Sequence, residues 1–363
     1  MVQLTSRSAS MSVESVEQAG HSTGAGRAEA SSGSPEEAAL SAGEGPGRRG
    51  GSPDRLRQLV HRTDPLDVFP TGLTRLTDTQ FSVPAHWPRA HRFFAPVDGR
   101  HQDPLLIAET MRQTTMLIAH AQFGVPVGDA FVMWELRYTS ASERLELSDD
   151  SWDITVDVSC SRIRRRGRGL GSMHLELLLH RRGTVLATGG GRISCTSAGA
   201  YQRLRGHRGA VLDTPIPLLP AVAPRTVGRT SENDVVLSPG TEPGTEPGTW
   251  LLRLDTRHPT LFGRPNDHVP GILLLEAARQ AAHAATGSTF LPTAMQADFL
   301  QYVELDRPCR IEATVLPADD TDTLSPAGVF IRAVQDGEPA FTCTLRSPGP
   351  RPAGPGDVRT DLS

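Results

Sequence analysis

The chain contains 363 residues, of which 37% are hydrophobic and 21% charged, and its formal net charge is −4. That length is enough for two ordinary domains or for one large domain with tails, and either arrangement buries a substantial core. The slightly negative charge excludes a chain-wide polycation of the kind that binds nucleic acid, so any site for an anion must be local.

Both ends of the chain have compositions typical of disordered segments. Residues 1–54 consist mainly of Ser, Gly, Ala and Glu, and residues 347–363 are rich in Pro and Gly. Such segments bury too little apolar area to offset their chain entropy, so we expect two disordered tails. The short repeat GTEPGTEPGT, over residues 240–249, predicts an exposed loop.

The sequence carries no signal for a membrane or for an oxidising compartment. The first residues lack a charged stretch followed by an apolar one, and no run of about 18 apolar residues occurs. The cysteines are Cys160, Cys195, Cys309 and Cys343, and they form neither a CxxC pair nor a Cys/His cluster. We therefore expect a cytoplasmic protein with reduced core thiols, no metal site and no cofactor.

Between the tails the chain repeats itself. The segment HRFFAPVDGRHQDPLLIAETMRQ aligns without a gap with HPTLFGRPNDHVPGILLLEAARQ, 167 positions later. Two copies of one folding unit explain the match, and we place them over residues 55–215 and 216–346. In this alignment His91, His101, Glu109, Arg112 and Gln113 correspond to His258, His268, Glu276, Arg279 and Gln280.

Each unit contains one apolar helix followed by predicted strands. In the first unit, segments with alternating apolar residues follow the helix over 130–139, 152–169, 172–183 and 184–195. The Arg-Arg-Gly triplet at 181–183 and the glycine cluster at 189–191 are predicted as hairpin turns, as is Asp336-Gly337 in the second unit. A helix followed by antiparallel strands predicts an α+β fold in which a curved sheet wraps the helix.

Three stretches of the second unit together resemble a known family. VGRTSENDVVLS, DHVPGILLLEAARQAAHA and YVELDRPC are similar to the A-factor biosynthesis family of γ-butyrolactone synthases, which consists of two hotdog repeats in one chain. The resemblance covers roughly residues 59–346 and implies a double hotdog fold. One position departs from the pattern: before DHVPG the family has an Asp-His pair, whereas this chain has Gly263 and Arg264.

The resemblance implies an acyltransferase. Such an enzyme moves a β-ketoacyl group from an acyl carrier protein to the hydroxyl of dihydroxyacetone phosphate, on the route to a butyrolactone-type signal or a related furan or butenolide. It would be a monomer, with the repeats as an internal pseudo-dimer, or a homodimer. Two alternatives stay open: a hotdog dehydratase or thioesterase acting on carrier-bound acyl chains, and a non-catalytic regulatory module that binds a ligand in the helix groove.

The Glu-Arg pair inside each apolar helix is the candidate for the chemistry. Glu276 is the first choice for a general base, because burial raises the pKa of a carboxyl while Arg279 lowers it, and the balance favours a pKa near the working range. Arg279 would then stabilise an anion or oxyanion. Glu109 and Arg112 are the second choice. Either pair could instead be an i, i+3 salt bridge that only braces the repeats.

Four histidines are further candidates. His101 and His268 precede the two helices, where first-turn N–H groups and the helix dipole favour an anion or a developing oxyanion. His91 and His258 are either catalytic or ordinary histidines of a loop or core.

The basic run SRIRRRGRG has two interpretations. It is either a solvated hairpin or a docking patch for an acidic acyl carrier protein or its phosphopantetheine phosphate. Arg162, Arg164 and Arg166 alternate along the predicted strand and share one of its faces, so they would act together.

Overall fold

The computed structural model describes residues 52–96, 98–167, 169–206, 208, 215–240, 247–317 and 327–348. The predicted tails over 1–54 and 347–363, and the predicted loop over 240–249, lie mostly outside the described residues. Residues 52–54 are described, and Pro53 already begins a helix whose N-cap is Ser52.

Two long helices carry the Glu-Arg pairs. They are α2 and α5, and each ends at a glycine in the left-handed conformation, Gly124 (φ 67°) and Gly287 (φ 64°), which is the usual way to terminate a helix. Nearly all of α2 and two thirds of α5 are buried, so both are enclosed rather than amphipathic surface helices. The helices are α1 (Pro53–Leu59), α2 (Leu105–Phe123), α3 (Ser142–Leu145), α4 (Ala198–Arg205) and α5 (Gly271–Thr286).

The strands of the described residues form one antiparallel sheet. Its order is β1-β2-β4-β5-β6-β3-β9-β12-β11-β10-β8-β7. The first six are β1 (Thr74–Arg75), β2 (Gln80–His86), β3 (Ala130–Ser140), β4 (Asp153–Arg166), β5 (Gly169–Arg181) and β6 (Thr184–Thr196). The others are β7 (Leu237–Pro239), β8 (Thr249–Leu252), β9 (Ala294–Phe299), β10 (Cys309–Leu316), β11 (Ala327–Gln335) and β12 (Glu338–Ser347).

The sheet is made of two halves with mirrored strand order. In each half the strand that is third along the chain lies innermost in the sheet. These two strands, β3 and β9, pair with each other at the centre, for example Leu136 with Ala297. Helix α5 packs against β10, β11 and β12, while α2 packs against β2, β3, β5 and β6. Each half is thus a helix wrapped by its own strands, and the predicted α+β double hotdog architecture is confirmed.

The predicted turns have mixed outcomes. Asp336-Gly337 and Arg182-Gly183 form tight hairpin turns with positive φ at both residues, as their sequences predict. The predicted turn at 189–191 is wrong, because those glycines lie inside β6. A Cβ atom at Gly189 would lie 2.7 Å from both the Arg137 carbonyl oxygen and the Met111 sulfur. The glycines therefore allow close packing of the neighbouring strand and helix, and do not mark a change of direction.

The four cysteines lie in the core. All are free and all are buried, and burial raises the pKa of each thiol, to about 12 for Cys160. The prediction of unpaired core thiols is confirmed.

Candidate active site

The Glu-Arg pair of α5 forms the centre of a buried ionic cluster. Arg279 binds Glu276 through two hydrogen bonds, Nε to Oε2 at 2.9 Å and Nη2 to Oε1 at 2.6 Å. Arg229, from the segment before the sheet's second half, donates to the same Oε1 at 2.8 Å. Gln280 also donates to Glu276 and holds the Asp234 carbonyl oxygen at 2.7 Å. We call Arg229, Glu276, Arg279 and Gln280 the Glu276 cluster.

The charge state of Glu276 differs from the expectation for a general base. Burial alone would raise the pKa of this carboxyl, but Arg229 and Arg279 outweigh it and lower the pKa to about 2. The prediction that the pKa of Glu276 lies near the working range of a general base is therefore wrong. It was based on Arg279 alone, whereas the structure places two guanidiniums, those of Arg229 and Arg279, against this carboxylate.

The first repeat contains the same arrangement, the Glu109 cluster of Arg62, Glu109, Arg112 and Gln113. Arg112 donates from Nε to Glu109 Oε2 at 2.9 Å, and Arg62 donates from Nη2 to Oε1 at 2.6 Å. Gln113 donates to Oε1 at 2.6 Å. Burial is again outweighed, by Arg112 and Arg62, and the pKa of Glu109 is lowered to about 2.

The inner arginines also tie the two repeats together. Arg62 Nη1 donates to the carbonyl oxygen of Thr260 at 2.5 Å, and Arg229 Nη1 donates to that of Phe93 at 2.8 Å. The 167-residue shift carries Arg62 onto Arg229 and Phe93 onto Thr260, so the two bonds are equivalent by the internal pseudosymmetry. Each cluster therefore braces its own helix against the loop of the other repeat.

The surroundings of the Glu276 cluster are closed. Glu276 and Arg279 have fully buried side chains, and Asp103, immediately before α2, lies 3.9 Å from Arg229 and is also fully buried. Asp103 Oδ2, Arg229 Nη2 and Arg279 Nη1 have no hydrogen-bond partner among the described residues. Burial raises the pKa of Asp103 despite Arg229 and Arg279. Two guanidiniums thus face two carboxyl groups in an enclosed space.

The surroundings of the Glu109 cluster are open. The Arg112 side chain is 25% exposed, and Arg264 is exposed at the same place. Although Arg264 is exposed as a whole residue, neighbouring groups partly enclose its guanidinium. This burial, together with the charges of Arg112 and Arg62, lowers the pKa of Arg264. Within the described residues, no carboxylate forms an ion pair with Arg264. Arg62 and Arg112 therefore bind Glu109, and Arg264 lies close enough to both arginines for their charges to lower its pKa.

Comparison with known proteins agrees with this architecture. A family model described as the A-factor biosynthesis hotdog domain matches the chain twice, over residues 56–197 and 213–348. The chain belongs to this family. Among A-factor family proteins, a 2-oxo-3-(phosphooxy)propyl 3-oxoalkanoate synthase from Streptomyces virginiae is 47% identical over 81% of this chain and 97% of the relative. One with the same name from Streptomyces coelicolor is 44% identical over 80% of this chain and 90% of the relative.

A more distant similarity is found among solved structures. A 12:0-ACP thioesterase from Umbellularia californica matches with a TM-score of 0.45 and 12% identity, covering 74% of this chain and 97% of that chain. At this level of similarity the thioesterase does not bear on the reaction of the A-factor family chain.

His91 and His258 lie in equivalent, fully bonded positions. Nδ1 of each ring accepts two successive backbone N–H groups of the loop that follows it. Nε2 of His91 lies 2.9 Å from Asp67, and Nε2 of His258 lies 3.2 Å from Asp234. With both ring nitrogens occupied, these histidines shape the loops that Arg62 and Arg229 bind.

His101 and His268 are each held by a neighbouring aspartate. Nδ1 of His268 lies 2.6 Å from Asp267, and Nδ1 of His101 bonds with Asp98. In the part of the chain that the structure describes, neither histidine hydrogen-bonds with Glu109 or Glu276. They belong to the loops in front of the helices, and the catalytic role predicted for them remains a prediction.

The basic run does not present the predicted face. Arg162 has a positive φ of 47°, and register shifts follow between Ser161 and Arg164 and again between Arg164 and Arg165. As a result Arg164 and Arg165 lie opposite Ser172 and Leu170, which share a face of β5, while Arg166 points to the other face. The prediction that Arg162, Arg164 and Arg166 share one face is therefore wrong, although all three residues are exposed.

Sequence reasoning missed Arg62, Arg229, Asp103 and Arg264 as site residues. The first two had a usable signal, since the same 167-residue shift that aligns the helices also aligns VHRT with VGRT. Asp103 had none, because the shift places Pro270 at its position. Arg264 was noted only as a departure from the family pattern.

Two features are absent from the described residues. No group of three or more His, Cys, Asp or Glu side chains there is arranged to hold a metal ion. None of the described helices is long and apolar enough to cross a membrane.

Proposed function

We propose that this chain is a 2-oxo-3-(phosphooxy)propyl 3-oxoalkanoate synthase and that its reaction takes place at the Glu109 cluster. Identities of 44% and 47% to two synthases over about four fifths of the chain support the activity. The product in that name is an ester of a 3-oxoalkanoic acid with dihydroxyacetone phosphate. The reaction is therefore transfer of a β-ketoacyl group, held as a thioester on an acyl carrier protein, to the triose hydroxyl.

The main support for placing the reaction at the Glu109 cluster is the excess of positive charge at this open site. Arg62, Arg112 and Arg264 leave two positive charges after Glu109 is counted, and a phosphate dianion supplies two negative charges. Guanidinium groups bind phosphate oxygens in pairs. The exposure of Arg112 and Arg264 gives the phosphate a route to the cluster. Glu109, with both oxygens bonded, orients the arginines and does not act as the base.

The Glu276 cluster supports the role of an internal brace. From the sequence, Glu276 and Arg279 are the first choice for catalysis, and this remains a prediction. Their complete burial and their pairing with Arg229 favour a structural role. A buried pair of this kind is costly to break, so its function is to hold α5 against the first repeat.

The proposal also includes a carrier protein and a location. Arg164 and Arg165 on one face of β4, with Arg166 on the other, form an exposed basic patch that suits an acidic carrier. A cytoplasmic location is favoured by the four free thiols. With two hotdog repeats in one chain, a monomer is sufficient for the fold, and a homodimer is the alternative.

The test is a direct assay of the product. Purified protein is incubated with a β-ketoacyl carrier thioester and dihydroxyacetone phosphate, and the ester is sought by mass spectrometry. Formation of the ester only when both substrates are present supports the synthase. Free acid or an enoyl thioester formed equally without the triose would identify a thioesterase or a dehydratase. Binding of ligand without turnover would identify a regulatory module.

The placement has its own matched variants. Arg264→Gln removes one guanidinium from the Glu109 cluster, and we expect a higher KM for dihydroxyacetone phosphate with an unchanged KM for the carrier thioester. Arg257→Gln is the control, because Arg257 lies in the same loop but has an 82% exposed side chain and, among the described residues, forms its ion pair with Asp255 alone. Equal KM values for the two variants would contradict the placement.

A further inference from the structure

Two histidines adjoin the Glu109 cluster and have no counterpart in the second repeat. His61 Nε2 lies 3.0 Å from His120 Nε2, and His120 Nδ1 lies 2.6 Å from the carbonyl oxygen of Val125. The 167-residue shift places glycine at both equivalent positions, Gly228 and Gly287. The histidine pair is therefore a feature of the open site alone.

Hydrogen-bond logic fixes the tautomers of the pair. A carbonyl oxygen only accepts, so His120 Nδ1 carries the proton that is donated to Val125. Burial lowers the pKa of His120, so its ring is neutral and its Nε2 is an acceptor. His61 must then donate from Nε2, which leaves Nδ1 of His61 with a free lone pair. This Nδ1 is buried and has no hydrogen-bond partner among the described residues.

The backbone at His61 is held in an unfavourable conformation. His61 has φ 55°, in the left-handed region where glycine is preferred, and Gly228 occupies the equivalent position with φ 68°. A side chain retained at a position that suits glycine marks a candidate functional residue. The Phe131 ring packs in a T-shaped arrangement with both imidazoles, with centroids 5.7 Å from His61 and 5.0 Å from His120, and keeps the pair in place.

The pair lies beside the arginines that form the anion site. Burial, the largest cause, and the charges of Arg264 and Arg112 lower the pKa of His61 to about 2. The ring is therefore neutral at physiological pH and its lone pair is available. A phosphate dianion between Arg264 and Arg112 offsets the part of this lowering that comes from their charges, so the phosphate-bearing substrate makes His61 a stronger base, while the larger effect of burial is unchanged.

We propose that His61, held in its tautomer by His120, is the proton acceptor for the triose hydroxyl. This inference rests on the proposed synthase function. His61 Nδ1 takes the hydroxyl proton as the triose oxygen forms a bond to the thioester carbonyl carbon. The C–S bond then breaks, and the imidazolium returns the proton to the departing thiolate. One ester and one free carrier thiol result, with no oxidant or reductant. His120 is a positioning residue.

His61→Gly is the central variant, because glycine suits the left-handed backbone and leaves the fold intact. We expect kcat to fall by about 10²- to 10⁴-fold, the usual contribution of a general base, while KM for dihydroxyacetone phosphate changes little. Free imidazole added to this variant should restore part of kcat, which a merely structural residue would not allow. His120→Leu should lower kcat less than His61→Gly does.

Arg182→Gly is the matched control, since Arg182 also has a positive φ, 52°, and lies in the hairpin between β5 and β6. Its kcat should equal that of the unaltered protein. An unchanged kcat in His61→Gly, or a loss that imidazole does not restore while thermal unfolding shows a folded protein, overturns the inference. If the unaltered protein forms no ester, the proposed function fails instead, so the two failures are distinguishable.

Discussion

The Glu109 and Glu276 clusters contain the same four side-chain types in the same bonding pattern, yet their surroundings differ. Arg279 is fully buried, whereas Arg112 is 25% exposed. Asp103 faces the Glu276 cluster and Arg264 lies near the Glu109 cluster. The carboxyl of Asp103 balances the positive charge at the Glu276 cluster. The guanidinium of Arg264 instead adds positive charge at the Glu109 cluster, which favours binding of an anion there.

The Glu-x-x-Arg-Gln motif makes the same structural contacts in both repeats. In both repeats the motif holds a helix against the opposite loop, and it does so equally well with or without solvent access. In the proposed function, residues outside the motif, such as Asp103, Arg264 and His61, then decide which of the two repeats is catalytic.

The largest effect is expected when the carboxylate of each cluster is replaced by a neutral amide. Glu276→Gln leaves Arg229 and Arg279 buried without a counter-charge, and we expect the free energy of unfolding to fall by about 3–5 kcal/mol. Glu109→Gln should cost less, because water reaches Arg112. Urea unfolding of both variants at neutral pH measures the difference. Equal losses would mean that the exposure of Arg112 has no energetic effect.

A second test uses acid. The pKa of Glu276 is about 2 in the folded chain against an ordinary 4.5, so its stabilising effect is present above about pH 4.5 and is lost as the pH falls toward 2. The shift corresponds to about 3 kcal/mol. Glu109 contributes in the same direction. Unfolding followed across that range should show a shallower decline in Glu276→Gln than in the unaltered chain, and an identical decline would refute the assignment.

A third test separates binding from bracing. Arg112→Gln should raise KM for dihydroxyacetone phosphate by about tenfold or more, as loss of a charge-assisted hydrogen bond does, with a modest effect on stability. Arg279→Gln should do the reverse, lowering the free energy of unfolding while KM of the folded fraction is retained. Steady-state kinetics and urea unfolding on both variants decide the matter. A raised KM in Arg279→Gln alone would move the site to the second repeat.

The smallest expected effect concerns the basic patch. Replacing both Arg164 and Arg165 by alanine should weaken carrier binding by less than about tenfold, since exposed ion pairs contribute little, and the effect should shrink as salt is added. Stability should be unchanged. The control is Arg310→Ala, because Arg310 is also exposed but pairs with Glu312 on a strand of the other half. Equal weakening in the control would remove the patch from the carrier site.

Much of the fold was predictable, because its signals are local. The apolar runs of α2 and α5, the alternation in β3 to β6 and the Asp336-Gly337 turn are each encoded within a few residues. The glycines at 189–191 were misread as a turn because their cause is Met111 and Arg137, which are distant in sequence and adjacent in space.

The site was less predictable for the same reason. Both Glu-Arg pairs were found from helical spacing, but whether each is open or closed depends on Asp103 and Arg264, which approach from the other repeat. A single sequence shows which residues recur, and it does not show which face each other across an interface. The pKa expectation for Glu276 failed at this step, since Arg229 is 47 positions away.

The central pairing of β3 with β9 joins two halves that are encoded separately. In a dimer of identical subunits every substitution appears twice, so a change that suits one site alters the other as well. Here position 61 is a histidine while the equivalent position 228 is a glycine. Linking the copies in one gene frees each half to accumulate its own mutations, so the two sites can differ in chemistry while the fold keeps its internal symmetry.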